Sequence, residues 1–273
     1  MDSLIVEVDG FTWNIDDRGD GPAVVMCHGF PGLGYSYRHQ FAPLVDAGYR
    51  AVAPDMPGYG RTGRPREAEE YTNVAVADRL VRLLDVLGID SAVVVGHDFG
   101  APVAWTTALR HPDRVAGPAD TAITTYGRIR PRDADISTCC TPLPSCRGIG
   151  SPTTNSPITR PSSPAPDSAE ACPGIAPTTR TGRRPYEGAK VQVPTLFVAG
   201  DRDPVITMSG PSALERMRDF VPDLRGVHLL EGAGHFVQME RRDEVNELLL
   251  SFVSGIRIPT RTAEQHFHRR SST

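Results

Sequence analysis

Residues 91–100 read SAVVVGHDFG. A short, continuously apolar run that ends in glycine is the pattern of a strand buried on both faces. Behind it, Ala101–Leu109 reads as a helix that stops near His111-Pro112, because the residue before proline avoids helical angles. Gly96, His97, Asp98, Phe99 and Gly100 therefore occupy a strand-to-helix turn. Their pattern is G-x-nucleophile-x-G, the nucleophile elbow, with Asp98 at its centre. Glycines flank the centre because so sharp a turn crowds its neighbours. The turn presents Asp98 at a helix N-terminus, where an anion is favoured. Taken alone, the pentapeptide is equally explained by Asp98 as a plain helix N-cap.

Outward from this turn, strands and helices alternate. Ala23–Cys27, Arg50–Ala53, Thr195–Gly200 and Val227–Leu230 read as further strands. Asp78–Leu87 has helical spacing through Leu80, Leu83, Leu84 and Leu87, and Gly88 ends it. Asp243–Val253 is amphipathic, with Val245, Leu248, Leu249 and Phe252 on one face. The alternation predicts an α/β fold, a mostly parallel sheet with helices on both faces. Sites in such sheets form at the carboxyl ends of strands. Three more segments sit at such ends. His28, Gly29, Phe30 and Pro31 follow the first strand, and the Phe30-Pro31 bond is a candidate for the cis isomer. The backbone N–H groups of Phe30 and Phe99 are the expected oxyanion-hole donors. Asp201 and Asp203 lie in the turn Gly200–Pro204, and His235 lies in the glycine-rich loop 232–236. Singly, these are a Gly-Pro turn, a solvated acidic turn and a surface histidine. Jointly they run nucleophile, acid, histidine, each behind its own strand, which is the chain order of the α/β-hydrolase triad.

Composition excludes several other classes. The 273 residues carry a formal charge of −4, which argues against a nucleic-acid partner. No apolar run approaches the roughly 20 residues of a membrane helix. MDSLIVEVDG lacks a basic start, a long apolar stretch and a cleavage site, so no secretory signal is read and the expected compartment is the cytoplasm. Five cysteines with no CxxC pair predict neither a disulfide framework nor a structural zinc site.

Residues 117–185 break the pattern. They hold 12 of the chain's 25 prolines with 7 serines and 11 threonines, and Leu143 is their only leucine. They also hold Cys139, Cys140, Cys146 and Cys172. So little apolar surface does not offset chain entropy, so the segment reads as disordered. The expected division is a first core half at 1–116, this segment at 117–185, a second core half at 186–255 and a tail at 256–273. The tail's His266 and His268 read as a disordered end, not a metal site.

The motifs CHGFPGLGYSYRHQ (27–40), APDMPGYGRTGRP (53–65), VVGHDFGAPVAW (94–105), VPTLFVAGDRDP (193–204) and GAGHFVQMERRDEVN (232–246) resemble the epoxide hydrolases of the α/β-hydrolase superfamily. The resemblance covers roughly residues 1–116 and 186–255. It implies Asp98 as nucleophile, His235 as base and Asp203 as the orienting acid. Asp201 is the weaker alternative, because the family's acid takes the fourth position of that turn. It also implies an apolar epoxide and water as substrates, a vicinal diol as product, and no metal or organic cofactor. Oligomeric state stays open. One alternative is a haloalkane or fluoroacetate dehalogenase, disfavoured because Phe30 and Phe99 offer halide no side-chain N–H. Another is a catalytically inactive remnant. The family's helical cap, with its two tyrosines that protonate the epoxide oxygen, has no counterpart in 117–185, where Tyr126 is the only tyrosine and Tyr186 lies just beyond. A reading-frame change between about Gly117 and Pro185 would explain the abrupt shift; a divergent disordered cap is the alternative.

Overall fold

In the computed structural model, eight strands form one sheet: β1 (Leu4–Val8), β2 (Phe11–Arg18), β3 (Ala23–Cys27), β4 (Arg50–Pro54), β5 (Ala92–His97), β6 (Ile123–Tyr126), β7 (Thr195–Gly200) and β8 (Leu224–Leu230). The structure describes residues 3–115, 123–126 (backbone only), 188–209, 211–256 and 258. The spatial order is β1-β2-β4-β3-β5-β6-β7-β8. β2 pairs antiparallel with both β1 and β4, and every pairing from β4 through β8 is parallel.

Every residue of β3, β5 and β7 is buried. A strand buried throughout must be covered on both faces, and helices supply both covers. α2 (Asn73–Val86) and α3 (Gly100–Arg110) pack Leu80, Leu83, Leu84, Val103 and Ala104 against Val25 and Val94. α1 (Arg38–Asp46) and α9 (Arg242–Ser254) pack Phe41, Leu44, Val245, Leu249 and Phe252 against Val24 and Val93. Val24 and Val25 thus enter different layers, as the two-residue period of a strand requires. Each fully buried Leu or Val contributes roughly 1.5–3 kcal/mol over exposure. Shorter helices complete the chain: α4 (Pro112–Val115), α5 (Pro204–Ser209), α6 (Pro211–Glu215), α7 (Met217–Phe220) and α8 (Val237–Glu240).

The expected α/β-hydrolase architecture is present, with β1 and β2 among the elements that the sequence reading did not place. The sequence reading places no element at Arg38–Asp46; the helix there carries Pro43 inside it, with Phe41 and Leu44 buried against the sheet. Residues 117–185 read from sequence as mostly disordered, and within them Ile123–Tyr126 is a strand hydrogen-bonded between β5 and β7. Four residues pair there because both neighbours present open edges, a tertiary effect that local composition does not carry. The tail was expected to begin at 256, yet Ile256 and Ile258 are each 8% exposed and join the α1/α9 layer. The disorder or frame-change reading otherwise falls outside the described residues. So do Tyr186, His266, His268 and all the cysteines except Cys27, a buried free thiol.

Candidate active site

The elbow is built by close approach of backbone. Asp98 adopts φ +53°, a left-handed conformation that costs a non-glycine residue about 1–2 kcal/mol. A Cβ at Gly96 would come 2.5 Å from the Gly100 carbonyl oxygen. A Cβ at Gly100 would collide with the Cys27 carbonyl, and one at Gly29 with the Asp98 side chain. These three glycines let the loop after β3 and the turn after β5 touch. The Phe30-Pro31 bond is cis. The Phe30 N–H donates to Asp98 Oδ1 at 2.8 Å, and the Phe99 N–H also donates to the Asp98 carboxylate.

His28 is buried and ties this loop to its neighbour. Its Nε2 accepts from the Met56 N–H at 2.8 Å, and its Nδ1 lies 2.9 Å from the Gly29 carbonyl. Nδ1 therefore carries the proton. Burial pushes the His28 pKa down, so the ring is a neutral brace.

His235 joins the elbow from β8's loop. Its Nε2 lies 3.5 Å from Asp98 Oδ2, a charge contact longer than a good hydrogen bond. Its Nδ1 lies 3.0 Å from Asp203 Oδ2. Asp203 is 7% exposed, and its other oxygen accepts from the Val205 N–H at 2.8 Å. Asp201 is exposed and points elsewhere, accepting from the Gly232 N–H at 2.7 Å. Its partner is the backbone of the histidine loop, not the imidazole.

The charges reinforce one another. The hydrogen bond with Asp203 and then the contact with Asp98 raise the His235 pKa to about 10, against the effect of burial. Burial alone pushes the Asp98 carboxyl up. The His235 contact and the Phe30 and Phe99 amides outweigh it and hold the carboxyl below the usual carboxylate range. An ionised carboxylate thus stands between two amides and an imidazolium.

The structure brings together Asp98, His235, Asp203, the Phe30 and Phe99 amides, His28 and His97, and leaves Asp201 outside. One clamp escaped sequence reading. The Glu240 carboxylate accepts from the N–H groups of Gly234 and Phe236, at 2.7 and 3.0 Å, on either side of His235. A capping box would place that acid one residue earlier, so its spacing does not stand out. Among the described residues, no group of three His, Cys, Asp or Glu side chains is arranged to hold a metal ion.

A family model described as the alpha/beta hydrolase fold matches residues 22–119. An epoxide hydrolase of Caballeronia sordidicola is 34% identical over 308 aligned positions, covering 92% of this chain and 93% of its own. This chain belongs to the epoxide hydrolase family. Epoxide hydrolase A of Mycobacterium tuberculosis is 32% identical, with 93% of this chain and 98% of that protein covered. Among solved structures, an epoxide hydrolase from an endophytic Streptomyces superposes with a TM-score of 0.69 at 27% identity, covering 93% and 95% of the two chains. Epoxide hydrolase A of Mycobacterium thermoresistibile superposes at 0.68 and 29% identity, covering 94% and 99%. The chain is therefore a hydrolase of the epoxide hydrolase family with the α/β-hydrolase fold. Among the described residues, no helix is long and apolar enough to cross a membrane.

Proposed function

We propose that this chain converts a small apolar epoxide and water to a vicinal diol through an ester on Asp98. One observation carries the reading: the Asp98 carboxylate is held between the oxyanion-hole amides and a histidine that is itself held by an acid. The exposed Phe30 and Phe99 side chains beside it favour an apolar substrate.

Asp98 Oδ1 is engaged by the Phe30 N–H, so Oδ2, which faces His235 at the longer 3.5 Å, is the oxygen that attacks. Oδ2 bonds to an epoxide carbon, the C–O bond breaks, and the ring oxygen leaves as an alkoxide. Esterification removes the Asp98 charge and, with it, one of the two carboxylates that hold the His235 proton. The proton His235 then gives up equals the one the alkoxide takes up. Neutral His235 next deprotonates water, which attacks the ester carbon, and the Phe30 and Phe99 amides receive the oxyanion on Oδ1. Collapse releases the diol and restores the carboxylate–imidazolium pair. Asp203 holds the ring in its working tautomer throughout.

Turnover is slow in this reading. Residues 117–185 bring no pair of tyrosines to the epoxide oxygen, and general acid catalysis is worth about 10²–10⁴-fold. The 308 aligned positions also exceed the 273 residues here, so the Caballeronia relative carries residues with no counterpart in this chain.

The experiment is intact-mass spectrometry of His235→Gln mixed with styrene oxide. An adduct on Asp98 that persists is expected, because the second half-reaction has lost its base. An adduct confined to another residue in a folded protein would sink the assignment. Slow diol formation by the unmodified chain is expected alongside it.

A further inference from the structure

His97 precedes the nucleophile and has no part in the chemistry above. It is 2% exposed, and its Nε2 lies 2.8 Å from the backbone carbonyl of His235. A carbonyl only accepts, so Nε2 carries the proton and donates. The His97 ring also packs against the His235 ring, with centroids 4.7 Å apart, and against Phe236 at 5.2 Å. One side chain thus reaches from the residue beside the nucleophile to the base, 138 positions along the chain.

We propose that His97 is the positioning residue of the base, locking the His235 backbone and ring face so that Nε2 of His235 stays aimed at the Asp98 ester. Beside Phe236 and Asp98, three contacts hold His235: Asp203 at Nδ1, the tilted His97 ring against its own, and the His97 donor at its carbonyl. Of these, only His97 is rooted in the nucleophile's strand. Any shift of the elbow is carried to the base, which preserves their separation. Burial also lowers the His97 pKa to about 4, so the ring stays neutral beside the His235 imidazolium and adds no repulsion. A lysine or arginine there would oppose the proton that His235 must hold between turnovers.

The inference rests on His235 as base, and the test separates the two. It uses the full chain with His97→Phe, which keeps a ring without the donor, and His97→Gln, which keeps a donor. His97→Leu replaces the Phe variant if that one does not fold. The Asp98 ester is formed with styrene oxide and its decay followed by intact mass. The ring N–H signal and titration of His235 are followed by NMR in the absence of substrate. Misplacing a catalytic group is costly, so His97→Phe should lengthen the ester lifetime about tenfold or more while ester formation changes less than about threefold. The His235 ring signal should move in the same variant, and His97→Gln should restore most of both. An unchanged lifetime and signal in folded His97→Phe would overturn the proposal. So would equal slowing of both half-reactions that glutamine does not repair. If neither the unmodified chain nor His235→Gln forms the ester, the reading of Asp98 as nucleophile fails, and the NMR signal alone then decides the role of His97.

Discussion

The two sides of the site are held by different physics. The nucleophile side is made of backbone: a positive φ at Asp98, glycines at 29, 96 and 100 where any Cβ would collide, and amides aimed at the carboxylate. The base side is a loop fastened by side chains. Asp201 takes the Gly232 N–H, Glu240 takes those of Gly234 and Phe236, His97 donates to the His235 carbonyl, and Arg241 donates to the Glu231 carbonyl. A backbone-built turn fails all at once when one glycine is filled. A side-chain-fastened loop loses one bond at a time.

Removing Asp98, the proposed nucleophile, gives the largest effect. Asp98→Ala should abolish ester formation, a loss on the order of 10⁴-fold or more in single turnover, because no substitute carboxylate shares the oxyanion amides. Residual turnover within tenfold of the parent would place the nucleophile elsewhere.

The two acids of the β7 turn divide the base side. Asp203→Asn should lower turnover by roughly 10²–10⁴-fold, since the amide favours the wrong imidazole tautomer. Asp201→Asn removes only an exposed loop contact and should cost about tenfold at most. Equal losses, read from steady-state kinetics, would transfer the orienting role.

For the backbone side, Gly100→Ala drives a methyl into the Cys27 carbonyl. It should destabilise the fold by about 3 kcal/mol, read from denaturant midpoints. A variant as stable as the parent would mean that the elbow yields easily and that its rigidity is not built as described.

A smaller effect follows from pH. The His235 pKa stands near 10 in the folded chain, above its ordinary 6.5, so the bound proton stabilises the native state. That contribution is full below about pH 6.5 and fades as pH rises toward about 10. The melting-temperature advantage of the parent over His235→Gln should narrow across that window. A gap that stayed constant would show that the pair does not hold the proton.

The smallest effect belongs to Glu240→Ala. Its carboxylate is exposed and His97 and Asp201 still hold the loop, so turnover should fall about threefold, with glutamine largely restoring it. A hundredfold loss would make Glu240, and not His97, the principal fastening of the base.

The same contrast governs what could be read from the chain. Asp98 with its two glycines, and His28 with Gly29, are short local patterns in sequence, although only Gly96 is crowded by near neighbours; Gly29 and Gly100 are required where the two loops meet. The core strands were legible for the same reason, as continuous runs such as AVVMC and TLFVAG. Asp203 was favoured over Asp201 only through resemblance, and the hydrogen bond at His235 Nδ1 makes the distinction in space. His97 was visible only as part of the elbow pattern, because its partner lies 138 positions away.

By itself, the sequence determined the alternation of buried strands and amphipathic helices, the order of Asp98, Asp203 and His235, and the turns that hold them. Those features rest on periodicity and on short turn patterns, which are written in neighbouring residues. Only the tertiary structure decided that Pro43 sits inside a helix, that Ile123–Tyr126 completes the sheet, and that Ile256 and Ile258 close the second layer. It also decided which carboxylate meets His235 and which ring braces it. Those outcomes depend on burial and on single hydrogen bonds between distant residues, and such contacts exist only once the sheet has brought its strand ends together.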